Sequence, residues 1–498
     1  MRDRIALALA AATLALHLAF ANRYDLFRDE LYFIVCGQHP AFGYADQPPL
    51  VPLLAAGGYA PGAHTWVVRF PSALAAAALV WLVVAFARLL GGRNGAAWLA
   101  GIVAATAPIL LGLTATLNTT SFEPLVWTAV AYALARAVIL DDRRALIAAG
   151  CVAGLALEAK YALPLWLAAL GIGLIVTPQR RILAYRELWI GVALAALIAA
   201  PSIVWQAQHG WPFATLVRNA GLKDAAVRPL AYMINQIVIF NPLSAPVWIA
   251  GLVAPFAIAE LRAMRFLPIA YALTAVATIA GGGKDYYLAP AYPALFAIGA
   301  VIAERAIRAG VVRTAYAAVI VALAAVIAPL ALPILSPATL IAYERALHLA
   351  PQQQERGDAA TVLPSTFADM LGWHDFVREV AAAYDTIAPA DRAATSILVD
   401  NYGEAAAVDL YGPAYGLPPA LSGHNQYGFW GLRGQTPRNL LRVQDNPARL
   451  RPYCAQMRVV ATTSSIYARA CENGKAIAFC RDLHPPLAQL WPDIVFLI

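Results

Sequence analysis

Apolar runs of 17 to 25 residues, separated by short basic turns, recur from the start of the chain to about position 335. Wound as a helix, each is about as long as the hydrocarbon core of a bilayer is thick. The runs fall near 5–21, 66–90, 95–113, 123–140, 145–160, 162–178, 187–205, 244–260, 266–281, 287–303 and 312–335, about eleven spans. Composition agrees, with 61% hydrophobic and 13% charged residues, where soluble domains carry about half and a quarter. A water-soluble globular fold is therefore excluded, and the chain reads as an α-helical polytopic membrane protein. The first run follows Arg2 and Arg4, as in a signal peptide, but ends in Phe20-Ala21-Asn22-Arg23 without a clear small-residue cleavage site. It reads as a retained first span.

Basic residues in alternate loops set the expected orientation. Arg2, Arg4, Arg88, Arg93, Arg143, Arg144, Arg180, Arg181, Arg186, Arg262, Arg265, Arg305, Arg308 and Arg313 fall on one side. Only Arg23, Arg28, Lys160, Arg218, Lys223, Arg228 and Lys284 fall on the other. The N-terminus is thus expected in the cytoplasm, and an odd number of spans puts the segment after Pro337 outside, which in a bacterium is the periplasm. The same distribution explains the net charge of +7 by topology, so no nucleic-acid partner is expected.

The two sides also differ in size. Cytoplasmic loops are short, whereas the outer side carries residues 22–65, 206–243 and a long tail, beyond ordinary connection lengths. Chemistry is therefore expected at the outer face. The chain divides into a membrane part, 1–340, and a soluble periplasmic part, 341–498. In the latter, Ser396–Asp400 and Lys475–Cys480 read as strands and Glu404–Tyr411 as a helix, an α/β pattern. No cysteine spacing suggests a metal site. Outside the reducing cytosol Cys471 could pair with Cys480 or Cys454, and a free buried thiol is an equal alternative.

Four outer segments carry the candidate chemistry. Arg28-Asp29-Glu30-Leu31-Tyr32 places two acids just after the first span, where a carboxylate is solvated, paired with Arg28, or functional as a general base. Asp46-Gln47-Pro48-Pro49 brings a third carboxylate before an extended turn. Ser121-Phe122-Glu123-Pro124 sets an acid at the head of a span, where it also suits the helix N-terminus. Gly283-Lys284-Asp285-Tyr286-Tyr287 holds one of only four lysines in the chain. A lysine is a compact charge suited to phosphate. The tyrosines are interfacial anchors or donors to phosphate oxygens, and the nucleotide-binding GxxxxGK[ST] pattern is missing.

With "RDELYF", "YADQPPLVPLLA", "SFEPLVW" and "GKDYYLAPAYP" in this order, the chain resembles bacterial members of the protein-mannosyltransferase superfamily. These are glycosyltransferase family 39-like proteins, with lipid A aminoarabinose transferases and Rgt-type galacturonosyltransferases as relatives. The tail segments Asp400–Ala405 and Ser422–Tyr427 look like the periplasmic domain of the same group. The resemblance implies a GT-C fold and inverting transfer of a sugar from a polyprenyl-phosphate donor to an acceptor at the periplasmic face. It also implies residence in the bacterial inner membrane and no required metal or other cofactor. Asp29 matches the family's first-loop acid, implied as base or acceptor-orienting group, with Glu30 its partner, and Glu123 matches an acid of the second outer loop. Lys284, Tyr286 and Tyr287 match the segment facing the lipid phosphate, while Asp46, Gln47 and Tyr32 are candidates for substrate contact.

One departure matters: where the aminoarabinose branch has Glu-Lys-Pro-Pro, this chain has Asp46-Gln47-Pro48-Pro49. Gln47 supplies no charge, so the negative charge growing on the leaving phosphate must be met elsewhere. Lys284 is the first candidate, with Arg28 and Arg218 behind it. The sugar and the acceptor stay open. Three carboxylates at one face could also hold a divalent ion. The alternative class is a secondary transporter or flippase, which would use repeats and charges near the midplane. Here Glu158 and Lys160 are the only such charges noted, and they read more simply as an interfacial pair.

Overall fold

The computed structural model describes residues 3–60, 62, 64–223, 227–349 and 361–498, with the backbone alone at 220–223. Arg2 and the Lys223 side chain, both in the charge count above, lie outside the described residues.

Helix α1 (Arg4–Phe20) is capped by Asp3, whose carboxylate accepts from the Ile5 and Ala6 amides. The first long loop is itself helical, with α2 (Arg28–Gln38) and α3 (Leu50–Gly58). Then follow α4 (Thr65–Leu89), α5 (Asn94–Thr106), α6 (Pro108–Ala115), α7 (Glu123–Leu140), α8 (Arg144–Leu157), α9 (Leu163–Ile175) and α10 (Arg186–Gln208). The second long loop holds α11 (Pro212–Lys223) and α12 (Pro229–Ile239). After α13 (Ala245–Ala257) and α14 (Phe266–Ala280), a 3₁₀ segment, Asp285–Ala291, feeds α15 (Tyr292–Ala306) and then α16 (Gly310–Ile327). Among the described residues five helices are long and apolar enough to cross a membrane, or eight if each bent pair is one span, against about eleven expected. Shorter apolar helices, α1, α8 and α14, occupy the other expected runs.

Small residues let these helices approach backbone to backbone. A Cβ on Gly150 of α8 would lie 2.1 Å from the Gly191 carbonyl oxygen of α10, and one on Gly299 of α15 would lie 1.7 Å from that of Val247 in α13. No larger side chain fits at either crossing.

The soluble part has a five-stranded sheet in the order β2-β1-β3-β5-β4. Its strands are β1 (Thr395–Val399), β2 (Leu421–Ser422), β3 (Asn439–Gln444), β4 (Cys454–Thr462) and β5 (Ala476–Leu483). β1 runs parallel to β2 and β3, while β5 is antiparallel to β3 and β4. The expected strands and helix are all present, the helix as Tyr402–Tyr411. The disulfide is Cys454–Cys480, joining β4 to β5, and Cys471 stays outside it.

The soluble part and the first loop share one core. Leu31, Ile34, Val35 and Tyr44 pack in the same buried cluster as Val377, Ile397, Ala405 and Tyr427. The loop is thus built into the soluble layer. The expected division at 340/341 falls inside the helix Pro337–Ala346, whose Leu340 packs with Tyr24 and Phe367.

Candidate active site

The site starts from the way α2 begins. Its third residue, Glu30, reaches back so that Oε2 accepts from the Phe27 amide at 2.8 Å, satisfying a donor of the first turn. Glu30 is fully buried and also takes Arg69 of α4 as an ion pair, Nη2 to Oε2 at 2.8 Å. The Leu117 amide donates to its Oε1 at 2.8 Å. Arg69 in turn donates to the Ala21 and Asp25 carbonyls. Such a buried pair is tolerated because its polar atoms are satisfied. Glu30, expected among the catalytic groups, instead locks the first loop, α4 and the second outer loop together. Arg69 was missed in the sequence, although a lone arginine inside the run 66–90 was the signal.

With Glu30 fixed, the preceding Asp29 stands at the N-terminal turn of α2, where the helix dipole favours a carboxylate. Tyr402 of the soluble part donates its hydroxyl to Asp29 Oδ1 at 2.8 Å. Arg28 lies 3.6 Å from the same oxygen, 3.8 Å from Asp369 Oδ1, and over the Tyr402 ring at 5.4 Å. A Cβ on Gly403 would sit 2.4 Å from Arg28 Cγ, so glycine there makes room for the arginine stem.

Asp46 forms the joint between the first loop and the soluble part. It accepts from the Tyr32 hydroxyl at 2.8 Å and from Asn425 Nδ2 at 3.1 Å. The Gln426 amide donates to the same Tyr32 hydroxyl, and Gln426 Oε1 accepts from the Ala45 amide. Burial pushes the Asp46 carboxyl up to about 6, and the Asp29 charge adds to the rise. Gln47 is buried, and its carbonyl accepts from the Tyr44 amide. Tyr32 and Asp46, expected at substrate, thus bond to the soluble part, while Gln47, expected there too, is buried within its own loop.

The third and fourth segments meet through a residue that was expected to pair with Glu158. Lys160, three residues beyond the end of α8, pairs with Glu123 at 2.9 Å rather than with Glu158, and donates to Thr120 Oγ1 at 3.1 Å. Its ammonium also lies over the Tyr287 ring at 5.4 Å. Tyr287 packs edge-on to Tyr286, and Tyr286 is within electrostatic reach of both Glu123 and Asp29. Three separated segments therefore converge on one end of the helix bundle. The glycine turn before Lys284, with Gly282 at φ 71°, is held by α12: Tyr232 donates to the Lys284 carbonyl and Gln236 to that of Asp285. Lys284 itself is half-buried there. Arg218 is exposed and donates to Thr215.

The arrangement offers a partly exposed carboxylate with a hydroxyl donor, a second carboxylate paired to a lysine, Tyr286 in reach of both, and Tyr287 beside the lysine. Among the described residues no three His, Cys, Asp or Glu side chains are grouped to hold a metal ion.

Residues 46–205 match the dolichyl-phosphate-mannose-protein mannosyltransferase family. No curated protein matches the sequence. Among solved structures, ArnT from Cupriavidus metallidurans bound to undecaprenyl phosphate is similar with a TM-score of 0.60 at 13% identity. The apo form of ArnT from that organism gives 0.58 at 15%. Both alignments cover 95% of this chain and 97% of the other.

Proposed function

We propose that this chain belongs to the GT-C protein-mannosyltransferase superfamily, a reading its matched segment and fold support, and is an integral-membrane glycosyltransferase of the bacterial inner membrane. It moves a sugar from a polyprenyl-phosphate donor to an acceptor at the periplasmic face, with inversion. The observation that carries this reading is the convergence of Asp29, Glu123 and Tyr286 on the end of the bundle covered by the soluble part.

Asp29 acts as general base. It takes the proton from an acceptor hydroxyl or amine as that group attacks the anomeric carbon from the face opposite the lipid phosphate. As the glycosidic bond breaks, charge grows on the phosphate, and fixed cations and hydroxyl donors stabilise it. Lys284, Tyr286 and Tyr287 supply these from one turn. Lys160 is a second cation beside the same tyrosines, and it meets the demand raised by Gln47. Glu123 holds Lys160 in place. The lipid tail of the donor stays in the bilayer, so the helical body carries the substrate as well as the anchor. The charged groups of the site sit together at one end of the helices, which favours chemistry at one face over alternating access.

The test presents the purified protein with a panel of polyprenyl-phosphate sugars, acceptor-containing bacterial membranes, and parallel samples with chelator. Consumption of one donor, unaffected by chelator, is expected. A folded protein that neither binds nor consumes any donor overturns the assignment and turns attention to lipid transport.

A further inference from the structure

We propose that the crevice between α1, α4 and α7, at the end of the bundle away from the candidate active site, holds the phosphodiester head group of one membrane phospholipid. The crevice encloses about 750 Å³ and is lined by Asp3, Leu7, Trp81, Arg88, Tyr132 and Arg136 among others. That volume lies within the range of built ligand sites.

The lining is divided in the way a lipid is. Leu7, Trp81 and Leu140 are 46%, 44% and 56% exposed on its apolar side. Next to them stand two arginines held from behind by acids: Arg88 Nε on Asp3 at 2.6 Å and Arg136 Nη2 on Asp142 at 2.5 Å. Within the chain Arg88 also donates to Gly92 and Asn94, and Arg136 to Tyr132. Each guanidinium thus uses three of its five N–H groups, and two on each remain for phosphate oxygens. Each arginine is balanced by the acid behind it, so the crevice meets a phosphate with its remaining directed N–H donors and not with an excess of positive charge. Its depth also fits. Arg88 lies in the last turn of α4 and Arg136 near the end of α7, at the border of the apolar runs, where lipid phosphates lie. Trp81 and Tyr132 are the residue types that settle at that level. An acyl chain along Leu7, Trp81 and Leu140 covers apolar surface that no part of the described chain covers.

Native mass spectrometry of the delipidated full-length protein tests this, with dioleoyl phosphatidylglycerol, dioleoyl phosphatidylethanolamine and inorganic phosphate as separate probes. One tightly held phospholipid per chain is expected, with inorganic phosphate unable to displace it. The double variant R88Q/R136Q should weaken phosphatidylglycerol binding by about thirty-fold, from two cations near the surface. Ala85→Phe fills the crevice while leaving both ion pairs in place, and should reduce lipid occupancy without lowering the melting temperature. Unchanged lipid affinity in both variants would overturn the site. Displacement by inorganic phosphate would show a free-anion site instead of a lipid one. Neither outcome depends on sugar transfer, so the two proposals fail separately.

Discussion

The hydroxyl of Tyr402 donates to Asp29 Oδ1 at 2.8 Å across 373 residues of sequence. The soluble part therefore touches the carboxylate on which the proposed chemistry turns. Tyr402 is itself wedged among Tyr32, His424 and Arg28, with ring centroids 4.6 and 4.8 Å away and the guanidinium at 5.4 Å. Its hydroxyl has little freedom to leave Asp29.

Tyr402→Phe removes that donor and keeps the ring. A hydrogen bond to a charged group is worth about 1.5–3 kcal/mol, so kcat should fall about tenfold or more. The KM for donor should stay close to wild type and the melting temperature should fall by only a few degrees, the stability share of this one hydrogen bond, a split that a general loss of packing would not produce. Steady-state transfer assays beside thermal denaturation check it.

Glu30 and Arg69 should behave as a structural pair. Glu30→Ala or Arg69→Ala leaves a buried charge uncompensated, a loss of about 3–5 kcal/mol. The expected readout is poor recovery of folded protein and a lower melting temperature in detergent. A Glu30→Ala protein with wild-type stability and no turnover would return Glu30 to the catalytic groups.

Asp46 gives a pH dependence. Its folded pKa, near 6, lies above the usual carboxylate value, so between about 4 and 6 the folded state binds more protons than the unfolded one. Stability should fall as pH rises through that window. The contribution is about 1 kcal/mol once solvent at the edge of the site is allowed for. Asp46→Asn should flatten the melting-temperature profile across this range, and an unchanged profile would remove Asp46 as its source.

Lys160 and Lys284 should both matter for turnover, through different routes. Lys284→Ala should slow donor cleavage, whereas Lys160→Ala also leaves Glu123 without its ion-pair partner. Glu123→Gln should therefore partly restore the stability of Lys160→Ala but not its activity. A double-mutant cycle on melting temperature and rate separates these effects.

How much of this was legible in sequence depended on whether the signal was local. Apolar run length marked the helical segments, and period and flanking residues marked β1, β5 and the helix after β1. The acids Asp29 and Glu123 were visible because ionised groups at a membrane border are unusual. Their neighbours were not: nothing local says that Tyr402 will reach Asp29. Likewise, the pairing of Lys160 with Glu123 instead of Glu158 depends on how α7 and α8 pack. Glu30 looked catalytic because adjacency to Asp29 suggested a shared role, but consecutive helical residues point about 100° apart. Arg69 was overlooked because its run was read for length alone. The shared core of the first loop and the soluble part was hidden for the same reason, since α2 and the helix Tyr402–Tyr411 meet only in the fold.

The most direct measurement is transfer of labelled sugar from a consumed polyprenyl-phosphate donor by wild type and by Asp29→Asn, with donor binding measured on the same preparations. Asp29→Asn should bind donor normally and transfer it about 10²–10⁴-fold more slowly, the usual contribution of a general base. A folded Asp29→Asn protein with wild-type turnover would contradict the placement of the chemistry at this carboxylate.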